Sequence, residues 1–197
     1  MDLNVFLAPP AHVFFVAALI IAGTGAGVAL YERFTVPSRR FLVLTAVTGT
    51  WVACLGLAGA TGDAAASERW LRLAFMADPF SAPALYWLAT AIEGTPRRRV
   101  QLGLWVVAAS LAGVSAAGPW VVRGLETAAR DFTLTGYGWL GALYLTWIVG
   151  VLAAGVSLLI RSGYAAVTRE LRLESRLLSI LGLLASLNLV DYWLPTR

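Results

Sequence analysis

One aspartate, Asp78, stands inside the apolar stretch RLAFMADPFSAPALYW, Arg72 to Trp87, with Pro79 directly after it and Pro83 one helical turn beyond. A carboxyl group that deep in an apolar run has two kinds of work open to it. It can bind a ligand or exchange a proton, or it can stay neutral and hydrogen-bond a neighbouring helix as packing glue. Three other polar side chains fall at comparable depth. Counted inward from the outer ends of their apolar runs, Asp78 lies about 12 Å deep, Asn188 about 7 Å, Tyr137 about 6 Å and Tyr144 about 15 Å. Tyr137, Gly141 and Tyr144 are expected to share a face, since i, i+4 and i+7 recur on one side of a helix. Asp78, Tyr137, Tyr144 and Asn188 therefore form the candidate ligand or proton site. No second carboxylate, histidine cluster or nucleophile with its base accompanies them, so an enzyme is not expected.

The prolines set how Asp78 is presented. With Asp78 as an N-cap and Pro79 opening a helix, the run left from Pro79 to Ile92 would give only about 21 Å of helix, too short to cross a bilayer. A helix from Trp70 to Glu93 crosses comfortably and is expected to kink at Pro79 and Pro83, because each ring removes a donor and clashes one turn back. That frees the carbonyls of Phe75 and Pro79 beside the carboxyl. Lipid satisfies none of these groups, so they must face the bundle interior or a water-filled cavity.

The elements that position this cluster follow from composition. The chain has 197 residues, of which 59% are hydrophobic and 13% charged, with a mean hydropathy of +0.75. That is more apolar surface than one soluble core could hide. Runs long enough to span a bilayer occur at about 13–31, 41–60, 70–93, 101–121, 133–160 and 175–193. The expected fold is all-α, a polytopic bundle of six transmembrane helices forming a single domain over 1–197. Met1 to His12 has no basic residue and no cleavage site follows the first run, so that run is read as a retained helix. Cys54 is the one cysteine and His12 the one histidine, so neither a disulfide within the chain nor a metal site is expected, and no cofactor.

Orientation comes from the basic residues. All fifteen are arginine, and ten of them follow the first, third and fifth runs. The positive-inside rule makes that side cytoplasmic and puts both termini outside. Trp70, Trp120, Trp139, Tyr192 and Trp193 then mark the outer interface, and Tyr31 and Tyr164 the inner one. A net charge of +4 made this way calls for anionic lipid rather than a nucleic acid.

Small residues mark where helices can approach. Gly23 and Gly27 form a GxxxG step, Gly49 and Ala53 repeat the spacing, as do Ala109, Gly113 and Ala117, and Gly182 and Ser186 belong to a small, polar stripe on the last run. GTGAG, Gly23 to Gly27, is not a dinucleotide loop, since no strand precedes it. No inverted repeat relates the two halves, which weighs against a transporter.

The chain from about residue 13 onward resembles the seven-transmembrane N-terminal input region of some bacterial sensor histidine kinases. The resemblance rests on WLRLAF, Trp70 to Phe75, on the proline-bearing centre followed by Tyr86 and Trp87, and on RLESRLLSILGLLASLNLV, Arg172 to Val190. It implies a sensor in the bacterial cytoplasmic membrane that passes a signal to a cytoplasmic signalling domain. Six spans leave Arg197 outside, whereas such an output needs a seventh. The chain is therefore either a fragment of a longer sensor or a non-catalytic accessory subunit among other membrane protein subunits. A small solute or proton transporter is the third reading.

Overall fold

A computed structural model describes residues 11–95, 97–118, 120–123, 136–137 and 139–165. Among them the chain forms α1 (Ala11–Tyr31), α2 (Val36–Ala60), α3 (Ala64–Ala77), a 3₁₀ turn (Asp78–Phe80), α4 (Ser81–Glu93), α5 (Arg98–Ala117) and α6 (Gly141–Ala165). Two-residue strands β1 (Val122–Arg123) and β2 (Gly136–Tyr137) pair antiparallel between α5 and α6, Val122 opposite Tyr137. Four helices, α1, α2, α5 and α6, are long and apolar enough to cross a membrane. The protein is a helical, multi-pass membrane protein.

Helix starts depart from the expected runs where capping chemistry takes over from hydropathy. Thr35 accepts from the Ser38 amide and Pro37 sits in the first turn, so α2 opens at Val36 rather than 41. Asp63 accepts from the amides of Ala65 and Ala66 and starts α3 at Ala64 instead of 70. The fifth run needs a larger correction. Residues 136–137 are strand, Leu140 donates its amide to the Trp120 carbonyl at 3.0 Å, and the helix begins only at Gly141. Glycines at 136, 138 and 141 dilute helix propensity there. The sixth run, 175–193, lies outside the described residues.

The broken rod from α3 through the turn to α4 is the centre. α4 packs against α2, α5 and α6, and α3 against α2 and α5. Ala82, Ala84 and Ala89 have no exposed surface, and Pro83, Leu85, Tyr86, Leu88 and Thr90 are buried with them. Alanines on several sides of one helix let three neighbours approach at once. At Gly155 of α6 an added Cβ would lie 3.3 Å from the Tyr86 backbone nitrogen.

α1 joins this core through α2. Its buried small residues are Gly25 and Ala29, a step of four that lies on a different face from Gly23 and Gly27. A Cβ at Gly25 would overlap the Thr45 hydroxyl, whereas Gly23 and Gly27 have no described atom within 4 Å of theirs. Gly49 meets the Ala18 carbonyl across the same seam. Gly113 has no described atom within 4 Å of an added Cβ and Ala109 is exposed, so among the described residues that stripe meets no other helix, while Gly182 and Ser186 lie outside the described residues.

Gly25→Ala is expected to lower thermal stability in detergent by about 1–3 kcal/mol, because Thr45 is bonded back to its own helix and cannot yield freely. Gly23→Ala should leave stability unchanged or raise it by up to about 1 kcal/mol through helix propensity. Thermal unfolding followed by circular dichroism ranks the two, and the opposite order would refute this seam.

Candidate functional site

Pro79 has no amide hydrogen, so the Phe75 carbonyl one turn back loses its usual helical partner. The chain stays right-handed through the break: Asp78 has φ −52 and ψ −44, and its amide donates to Ala74. Asp78 is therefore not an N-cap. The helix instead tightens into 3₁₀ geometry over Asp78–Phe80 and resumes at Ser81, whose amide and hydroxyl both donate to the Asp78 carbonyl, the hydroxyl at 2.7 Å. The break falls at Pro79. Pro83 sits in the first turn of α4, where the absent donor matters least.

The Asp78 side chain points inward, with the residue 7% exposed. Tyr144, one turn into α6 and 1% exposed, donates its hydroxyl to Asp78 Oδ2 at 2.7 Å. The same hydroxyl lies 3.4 Å from the Phe75 carbonyl oxygen. One phenol from α6 thus reaches both polar groups exposed by the proline break. A tyrosine suits this place, since its ring fills apolar space and only its tip is polar.

The expected site is brought together in part. Asp78 and Tyr144 meet, and the freed Phe75 carbonyl joins them. Tyr137 lies on β2, ahead of α6, so it does not share a helical face with Tyr144 as the spacing suggested. Asn188 lies outside the described residues. Among the described residues no three histidine, cysteine or acidic side chains cluster as metal ligands would.

A second polar cluster, at the other end of α4, escaped the sequence reading. Arg40 Nη1 donates to the Trp87 carbonyl at 2.6 Å and to Thr90 Oγ1 at 3.1 Å, and its guanidinium lies 4.9 Å above the Trp87 ring centroid. Gln101 Nε2 donates to Thr90 Oγ1 at 2.7 Å. Trp105 of α5 completes it, edge-on to Trp87 and stacked with Phe80, at centroid distances of 6.1 and 6.0 Å. Arg40 reads in sequence as one topogenic arginine among several. Only its contact with a residue far along the chain sets it apart.

No family model matches the chain, and neither a curated protein nor a solved structure matches it.

If Tyr144 holds Asp78 across the break, Tyr144→Phe should cost about 0.6 kcal/mol, up to about 1.7, the range for hydrogen bonds between membrane helices. In an Asp78→Leu background the same change should cost much less of this, since the partner has gone. A detergent unfolding cycle over the four proteins measures the coupling. Full additivity would mean that the bond contributes nothing.

Proposed function

We propose that the chain is a membrane-embedded input domain, with six spans and both termini outside, in which Asp78 and Tyr144 receive the signal. The observation that carries the proposal is the buried hydrogen bond between them across a helix interruption. A carboxyl enclosed among helices and paired, among the described residues, with a neutral phenol is costly as an anion, so a proton or a cationic ligand changes its state readily. A neutral Asp78 gains a proton to donate, and the Tyr144 hydroxyl is then able to turn toward the Phe75 carbonyl. The change falls at the joint between α3 and α4, where few backbone bonds resist bending. It is carried to α6 through Tyr144 and to α5 through Phe80 and Trp105.

The six-span topology is supported by the positions of the arginines and by four apolar helices, with the α3–α4 rod and the run at 175–193 as the remaining crossings. Exposed Tyr31 and Tyr164 at helix ends fit the inner interface, and exposed Trp120 and Trp139 the outer one. A bacterial cytoplasmic membrane and a cytoplasmic signalling partner come with the resemblance to sensor kinase input regions. The second reading is an accessory subunit.

Two measurements test the proposal. Cysteine labelling should place Arg39, Arg98 and Arg169 in the cytoplasm and Asp63, Glu126 and Arg197 outside; cytoplasmic labelling at both Asp63 and Glu126 overturns the orientation. The chain fused after Arg197 to a further span and a kinase module should respond to external pH or ligand. Asp78→Asn keeps the shape and most of the hydrogen bonding, so it should abolish that response with thermal stability almost unchanged. A response that survives Asp78→Asn removes Asp78 from the signal path, and constant-ratio copurification with other membrane proteins would favour the subunit.

A further inference from the structure

The Arg40 cluster lies at the end of the bundle where α2 and α5 begin and α4 finishes. Both helix starts are electrostatically unusual. The first turn of a helix favours anions, because its free amides carry partial positive charge. Yet α2 and α5 have no acidic residue in their first turns. They open on arginines instead: Arg39 and Arg40 just inside α2, Arg98 and Arg99 as the first residues of α5. Across residues 31–40 and 93–101 six arginines face two glutamates.

Those glutamates are already engaged. Glu93 pairs with Arg97 and also accepts from Thr95, and Glu32 accepts from the Thr35 hydroxyl. Both ion pairs among the described residues join side chains one turn apart on the same stretch of chain, and neither includes Arg40. Arg40 is bound by neutral acceptors through Nη1 alone. One face of its guanidinium is covered by Trp87. Among the described residues no hydrogen bond reaches Nε or Nη2, so the edge that forks onto two oxygens of an anion is uncommitted, while the rest of the group is held in place.

We propose that the Nε–Nη2 edge of Arg40, at the end of the bundle where α2 and α5 begin, binds the phosphodiester of an acidic phospholipid. A phosphate there complements two helix N-termini and the surplus of arginine at once. The rest of the molecule argues for a lipid rather than a soluble phosphate. From this end α5 exposes Val100, Leu102 and Val106, Leu102 by 68%, and α2 exposes Val36, so apolar surface for acyl chains adjoins the charge. A zwitterionic lipid is disfavoured because its own cation would meet the arginines.

Native mass spectrometry of the detergent-purified full chain tests this, after exchange into an equal mixture of dioleoyl-phosphatidylglycerol and dioleoyl-phosphatidylcholine. The wild type should retain phosphatidylglycerol preferentially. Arg40→Gln should lower that retention about tenfold, by loss of a charge-assisted hydrogen-bonded pair. Arg40→Lys keeps the charge without the fork and should fall between the two. Arg99→Gln, an exposed charge at the same end, should change retention by no more than about twofold. Equal retention of the two lipids by the wild type overturns the proposal, whether or not Arg40→Gln folds. Undiminished retention by Arg40→Gln or Arg40→Lys does so too, and displacement by millimolar inorganic phosphate assigns the site to a soluble phosphate instead.

Discussion

A polar group buried among apolar helices must find its partner within the protein, and the centre of this structure meets that demand at Asp78. Pro79 interrupts the central helix and strands the Phe75 carbonyl, with the Asp78 carboxyl beside it. Neither can turn to lipid. Tyr144 of α6 donates its hydroxyl to the Asp78 carboxyl and stands within 3.4 Å of the Phe75 carbonyl, which ties α6 to the break. Gly155, farther along α6, then lies against the Tyr86 backbone, where a larger residue would hold the helices apart.

The neighbours of the interrupted rod make use of different physics at its two ends. Near the break, contact is by small residues and one phenol. Toward the far end of α4, Arg40 ties α2 to the Trp87 carbonyl while its charge rests on an indole. Gln101 brings α5 to the same threonine. Bonds to neutral acceptors hold three helices there, and among the described residues no ion pair includes the half-buried Arg40. The broken helix is clamped at its far end and jointed at Asp78–Phe80. A rod clamped at one end and jointed in the middle can pass a local change in bonding to the helices that touch it.

Resemblance to sensor kinase inputs and the geometry of the break bear on different questions. The first concerns the proposed signalling output. The second speaks of where a chemical input could act, and depends on Asp78, Tyr144 and Phe75 alone. The proposed input site therefore stands or falls apart from the identity of any output. An accessory subunit could use the same joint, since motion at Asp78–Phe80 would be felt by whatever packs on α5 or α6.

The sequence by itself determined the class of molecule, the approximate helices and the place where the central helix breaks. Hydropathy length is a local property, and proline removes a donor wherever it stands. The same local logic singled out Asp78 and Tyr144 by depth. It failed where two segments compete for one stretch of chain: Tyr137 reads as helix by hydropathy, yet pairing of 122–123 with 136–137 claims it for a strand. It also failed on rotation. Gly23 and Gly27 have the spacing for close packing, but Gly25 and Ala29 have it equally, and only the position of Thr45 on α2 decides which face is buried. Arg40 makes the same point for charge. Its partners Trp87, Thr90 and Gln101 are distant in the chain, so tertiary structure alone distinguishes it from Arg39, which remains exposed beside it.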